Sequence, residues 1–204
     1  DGTVVYVAVD GTYAGYIVIA DELKPDAAAA VAEMKALGVA EVVMLTGDNE
    51  TIARSIAREV GIDTVYAELL PEEKVAKVEE LAAALPDGRR LAFVGDGIND
   101  APVLMRSDIG IAMGALGSDA AIEAADVVLM DDRMTGVGDS IGIARHTRQV
   151  VLQNIALALL VKAVFLTLGA FGIATMWEAV IADMGTSLLA VLNATRTLRY
   201  SRRG

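Results

Sequence analysis

The stretch Val94-Gly95-Asp96-Gly97-Ile98-Asn99-Asp100-Ala101-Pro102 decides how the rest of the chain is read. It follows a β-branched apolar run, Leu91–Val94, and leads into a helical pattern over 99–106. Two carboxylates four positions apart at the end of a strand can hold a hard divalent cation through oxygen, with Mg²⁺ the usual choice beside phosphate. The two glycines let the backbone bend sharply and come close to a ligand. An ordinary acidic loop with a capping Asp is the other reading of the same residues.

Working outward, further short apolar runs predict strands at Val4–Val9, Tyr16–Ala20, Val42–Leu45, Ile109–Met113 and Val127–Met130. Helical patterns fill 25–37, 50–60, 71–85 and 118–125. This alternation predicts an α/β domain with a parallel sheet covered by helices. Pro25 and Pro71 stand where first helical turns would begin, and Gly38 and Gly61 follow last turns. Asp10-Gly11 between two apolar runs is a two-residue hairpin signal.

Thr46-Gly47-Asp48 follows the strand Val42–Leu45 and precedes a helix. A small hydroxyl and a glycine facing a helix N-terminus suit an anion such as phosphate. A plain helix cap at Asp48 or Asn49 explains the tripeptide as well. Lys74 sits near the start of the helix beginning at Pro71, where the helix dipole does not favour a cation. Either a phosphate or a solvated surface position accounts for it.

The 204 residues carry a formal charge of −11 and no cysteine. Residues 1–148 hold 12 of the 17 Lys+Arg and 26 of the 28 Asp+Glu. So acidic a part argues against nucleic acid as a partner. The absence of cysteine excludes a disulfide, a thiolate metal site and a Cys nucleophile within this sequence. From about residue 145 the pattern changes. Ile155–Trp177 contains one charge, Lys162, and Ala179–Thr195 contains one, Asp183. The first segment meets the roughly 20 apolar residues a membrane span needs, and the second reaches it only by sharing Trp177-Glu178. Arg145 and Arg148 precede the pair, and Arg196, Arg199, Arg202 and Arg203 follow it, so both ends are predicted to be cytoplasmic. A buried hairpin in a soluble helical domain is the alternative.

Charges inside spans line a pathway or pair with one another. With the turn near Thr175, Lys162 and Asp183 are offset by ~7–8 Å along the axis, at about 1.5 Å per residue. A Lys stem can cover most of that. Asp183 is read as an oxygen ligand for a divalent ion and Lys162 as its resident counter-charge, with a purely structural ion pair as the alternative.

Together these residues are similar to the haloacid dehalogenase-like phosphotransfer fold and, more narrowly, resemble the P-type cation-transporting ATPases. Asp21-Glu22-Leu23-Lys24-Pro25, Thr46-Gly47-Asp48-Asn49, Pro71-Glu72-Glu73-Lys74 and the stretch 94–102 occur in that family's order, followed by Ile109–Gly114 and Ala124–Met130. Lys162 with Asp183-Met184-Gly185 resembles the zinc/cadmium/lead-exporting group of the heavy-metal branch. A carboxylate suits a divalent ion better than Cu⁺.

The resemblance implies a partial Rossmann-like parallel sheet followed by a transmembrane α-helical hairpin. It implies a β-hairpin over 1–20 at the junction with a nucleotide domain, and the C-terminal part of a phosphorylation domain over 21–145. The last two membrane helices would fall within 146–204, at about 150–175 and 177–198. Asp96 would coordinate Mg²⁺ beside an aspartyl phosphate, with Asn99 and Asp100 supporting the phosphate and the Mg²⁺ shell. Thr46 and Gly47 would contact phosphoryl oxygens, Asp48 would orient their loop, and Lys74 would neutralise phosphoryl charge. ATP would be held mainly by an upstream part of the same pump, the lipid bilayer being the other partner, and the soluble part would face the cytoplasm from the plasma membrane. The cargo would be Zn²⁺, Cd²⁺ or Pb²⁺. No Asp-Lys-Thr-Gly-Thr string, the family's phosphorylation motif, occurs in the sequence. These 204 residues alone are therefore expected to be inactive towards ATP. A copper- or cobalt-type pump, and a membrane-anchored non-catalytic or phosphatase-like fragment of the same fold, are the alternatives.

Overall fold

A computed structural model of the chain describes residues 3–19, 23–95, 100–114 and 119–199. It divides into two units, residues 1–136 and 137–204, taken in turn.

The first unit opens with an antiparallel hairpin, β1 (Thr3–Val9) and β2 (Thr12–Ile19). Asp10 and Gly11 both take positive φ, 49° and 78°, as a type I′ turn requires. Thr12 and Tyr13 pair with Val9 and Ala8 directly after the turn, so β2 starts four residues earlier than its apolar run predicted, and the register shifts between Val7 and Ala8. Next come α1 (Ala27–Ala36), β3 (Val43–Leu45), α2 (Glu50–Val60), β4 (Thr64–Tyr66) and α3 (Pro71–Ala83). Then follow β5 (Ala92–Gly95), α4 (Ala101–Leu104), β6 (Ile109–Met113), α5 (Asp119–Ala124) and β7 (Val127–Leu129).

All pairs among β3–β7 are parallel, in two hydrogen-bonded groups: β3 with β4, and β5-β6-β7 with β6 in the middle. The sequence did not point to β4. Its three residues lie within Asp63-Thr64-Val65-Tyr66-Ala67, too short a run to stand out. Pro71 opens α3 as expected, whereas Pro25 falls before the N-cap of α1, Asp26. Gly38 and Gly61 end α1 and α2 in the left-handed region, at φ 84° and 79°.

Helix and sheet meet through small residues. Ala53, Ala57 and Val60 line one buried stripe of α2. Leu104 of α4 packs with Ala112 of β6, flanked by Phe93, Ala124, Ala125 and Val128. A Cβ on Gly110 would meet the Leu104 carbonyl oxygen at 2.9 Å, so that approach needs glycine.

One device recurs along the N-terminal edge of the parallel strands. An Asp immediately before a strand accepts the N–H that begins the neighbouring one: Asp63 from Val42 (3.0 Å), Asp108 from Leu91 (2.8 Å), Asp126 from Gly110 (2.8 Å). Part of the acidic composition is thus spent satisfying main-chain donors.

The helix α6 (Thr135–Ala170) starts at the end of the first unit and runs unbroken through residue 145. The change in composition there is not an element boundary, because apolar and amphipathic residues continue one helix equally well. The expected spans at about 150–175 and 177–198 become α6 and a shorter α7 (Met176–Ala194), followed by a 3-10 turn over Thr195–Arg199. Among the described residues one helix, α6, is long and apolar enough to cross a membrane. In the second unit Leu159, Leu160, Leu166, Trp177, Ile181 and Leu188 all stand exposed, an outer surface suited to lipid.

Candidate functional site

The C-terminal ends of parallel strands are where α/β folds place ligands; Thr46-Gly47-Asp48 directly follow β3, and Lys74 of α3 meets Asp100 beyond the end of β5. Thr46 directly follows β3. Its N–H continues the ladder to the Tyr66 carbonyl (3.0 Å), and its own carbonyl accepts from Leu69 (3.0 Å). The buried Thr46 hydroxyl donates to Asp48 Oδ2 (2.6 Å) and accepts from the Asp48 N–H (3.1 Å). Asp48 is therefore tied to Thr46 from both sides. The neighbouring Asn49 is the N-cap of α2, its Oδ1 accepting from Thr51 at 2.7 Å. A Cβ on Gly47 would sit 3.3 Å from the Leu69 carbonyl oxygen, so the following loop presses on this turn. Glu68, in that loop, takes the left-handed conformation (φ 57°) and donates its N–H to the Asp48 carbonyl.

Lys74 lies in the first turns of α3, whose entry is fixed by Glu73 Oε2 accepting from the Leu70 N–H (2.8 Å). Its Nζ reaches Asp100 Oδ1 at 3.5 Å, with side chains 22% and 15% exposed. That spacing is an ion pair without a tight hydrogen bond, so the carboxylate keeps lone pairs for another cation. Asp100 folds back over the end of β5. A Cβ on Gly95 would lie 2.8 Å from Asp100 Cβ and 3.0 Å from its Oδ2. The close approach that this glycine permits is to Asp100 itself, a role its place in the motif had left to a ligand. Asp96 and Asn99 lie outside the described residues. Asp100, with a cation beside it, offers a hard carboxylate whose chemistry fits Mg²⁺ and not a soft metal, while no cluster of three or more acidic or imidazole side chains is assembled among the described residues.

The second unit brings Lys162 of α6 and Asp183 of α7 together. Nζ and Oδ1 are 3.5 Å apart, the Lys stem spanning the axial offset between them. Both flank a cleft of ≈ 370 Å³ whose other walls include Val161, Phe165, Val180 and Met184. Sequence reasoning passed over two amides on the same helices. Asn154 and Asn193 hydrogen-bond across the hairpin at 2.9 Å, and their signal was an amide directly before the stretch that starts at Ile155 and another inside Ala179–Thr195.

Comparison with known proteins bears on the fold and the family. The model of the haloacid dehalogenase-like hydrolases matches residues 1–108. The chain is 61% identical over 196 residues to a zinc-transporting ATPase of Synechocystis sp., covering 96% of this chain and 27% of that protein. It is 59% identical over 202 residues to a cadmium, zinc and cobalt-transporting ATPase of Bacillus subtilis, covering 99% and 29%. A crystal structure of a zinc-transporting PIB-type ATPase in its E2.Pi state superposes with a TM-score of 0.81 at 44% identity, over 97% of this chain and 32% of that one. The chain thus spans a little over a quarter of the length of these curated relatives. With its parallel strands alternating with helices and the family model covering more than half its length, the chain belongs to the haloacid dehalogenase-like hydrolase family.

Proposed function

We propose that this chain is the C-terminal part of a P-type pump that exports divalent heavy metal, zinc or cadmium foremost, across the plasma membrane at the expense of ATP. The observation that carries the reading is the Lys162–Asp183 pair, one cation and one carboxylate 3.5 Å apart on two apolar helices. Both side chains are more than half exposed in the isolated hairpin, open to completion by other helices of the pump. Asp183 would ligate the metal with Lys162 displaced. On return to the empty state Lys162 would reoccupy the carboxylate, so the charge of the site never stays uncompensated in lipid.

In the first unit, Thr46 and Gly47 would cradle a phosphoryl group held on an aspartate elsewhere in the pump, with Asp48 locking the turn. Lys74 would neutralise the charge that develops on transfer, and Asp96 and Asp100, with Asn99 beside them, would hold Mg²⁺. When bound, that ion supplies neutralisation of phosphoryl oxygens. What this chain contributes is positioning and a fixed electrostatic field.

The test is metal-stimulated ATP hydrolysis by the full-length pump in proteoliposomes, with zinc, cadmium, cobalt and copper in turn. Asp183→Ala is expected to lose at least tenfold of the zinc and cadmium stimulation while the soluble unit melts as in the native pump. Native stimulation in that variant removes Asp183 from the transport site. Stimulation by copper alone in the native pump removes the divalent reading.

A further inference from the structure

At the basic end of the α6–α7 hairpin, polar side chains form a continuous line of hydrogen bonds across the two helices. Arg196 Nη1 donates to Asn193 Oδ1 (2.9 Å), and Asn193 Nδ2 donates to Asn154 Oδ1 (2.9 Å). Asn154 Nδ2 in turn donates to the main-chain carbonyl of Ala190 (3.0 Å). Gln153 Oε1 lies a further 3.4 Å from Asn193 Nδ2. Arg196 can only donate, so it orients the Asn193 amide with its oxygen outward and its NH₂ towards α6. Both asparagines are partly buried, so a slipped alignment would take their amides away from these partners.

The clamp and the ion pair share one register. From Asn154 to Lys162 the chain advances eight residues along α6, and from Asn193 back to Asp183 ten along α7. At about 1.5 Å per residue those separations agree to ~3 Å. The turn at the other end is held by its own hydrogen bonds, from the Ile173 N–H to the Leu168 carbonyl (2.9 Å) and from the Thr175 N–H to Glu178 Oε2 (2.7 Å), so the asparagines fix the register at the end of the hairpin far from that turn. A slip of one helical turn, about 5.4 Å, would carry Asp183 past Lys162.

We propose that Asn154 and Asn193 are positioning residues that hold α6 and α7 in the register pairing Lys162 with Asp183. The role assigned to that pair rests on the pump reading above, whereas the register itself does not. Polar amides specify register in helix pairs because every other alignment leaves a donor and an acceptor unpaired. Replacing both with leucine keeps the apolar bulk and removes that penalty.

The experiment is thiol cross-linking in the full-length pump, using a short bifunctional thiosulfonate. This chain has no cysteine of its own. Lys162→Cys with Asp183→Cys reports the native register; Ala158→Cys or Leu166→Cys with Asp183→Cys reports slips of one turn. With both asparagines present, the 162/183 pair should link at least tenfold faster than either slipped pair. In the Asn154→Leu/Asn193→Leu background that preference should fall at least fivefold. Asn193→Ser, which shortens the reach but keeps a hydroxyl, serves the same measurement if the double variant fails to accumulate. An unchanged preference overturns the clamp. Without cysteines, the double leucine variant should raise the zinc concentration for half-maximal stimulation several-fold, yet add nothing in a Lys162→Ala background. Additive effects there would mean a structural role only. Absence of zinc stimulation in the native pump would sink the pump reading and leave the cross-linking result standing.

Discussion

Two residues carry consequences out of proportion to their size. Gly95 is the residue over which Asp100 folds, with no room for a methyl group. Gly95→Ala must displace the carboxylate, so phosphoenzyme formation by the full-length pump is expected to drop at least tenfold, about 1.4 kcal/mol or more; native levels would contradict the placement of Asp100. Asp26 is the second. As the N-cap residue of α1 it leaves its own helix uncapped, and its Oδ2 instead accepts both the N–H (2.9 Å) and the hydroxyl (3.1 Å) of Thr135, the first residue of α6. Lys24 pairs with Asp132 in the same joint. The Thr135 N–H, foremost, holds the Asp26 carboxyl below its ordinary 3.8. A lowered value in the folded state means a contribution fully present above about pH 4 and lost as pH falls through the lowered value. Asp26→Asn should therefore lower the melting temperature of the purified pump at pH 7, where the native contribution is full, and flatten the acid limb, the gap closing as pH falls through the lowered value. An acid limb identical to the native one would show that this joint carries no such linkage.

At the scale of elements, the Asp-before-strand device ties the sheet together at the edge opposite the site. Each of Asp63, Asp108 and Asp126 satisfies a strand-initiating N–H that side-chain removal would leave without its acceptor. Asp108→Ala is expected to lower the stability of the first unit by about 1 kcal/mol, read by denaturant unfolding. The same substitution at the exposed Asp87 should cost nothing measurable and serves as control. Asp63 combines its acceptor role with an ion pair to Lys35 (2.6 Å), and that lysine foremost lowers its carboxyl below the ordinary value.

For the whole molecule, charge and exposed apolar surface are separated along the chain. Nearly all acidic residues lie before 149, and the lipid-suited side chains lie in the second unit. Residues 1–204 expressed alone are expected to sediment with membranes but to show no zinc-stimulated ATP hydrolysis, because no phosphorylation motif lies among them. Turnover by the isolated chain would mean that an acid within it is the nucleophile. β3 and β5 each have a hydrogen-bonded neighbour on one side. Parallel strands are normally buried within sheets, so amide exchange at both should be slower in the full-length pump than in the isolated chain.

Much was legible from residue order alone. Strand–helix alternation, the Asp10-Gly11 turn, the glycine helix ends and the strand-end motifs are local matters, set by backbone preference and apolar period. The sequence also singled out Lys162 and Asp183, since a charge in an apolar run is conspicuous without coordinates. Other features depended on residues distant in sequence meeting in space. β4 exists because three residues find β3, not because they form a marked run. The end of Asp26 that matters faces Thr135, 109 positions away. Gly95 is needed for Asp100, and Asn154 acquires a function only opposite Asn193. Composition and period report what a segment prefers by itself, whereas pairing, capping across elements and close approach are decided by which surfaces the folded chain brings within a few ångströms.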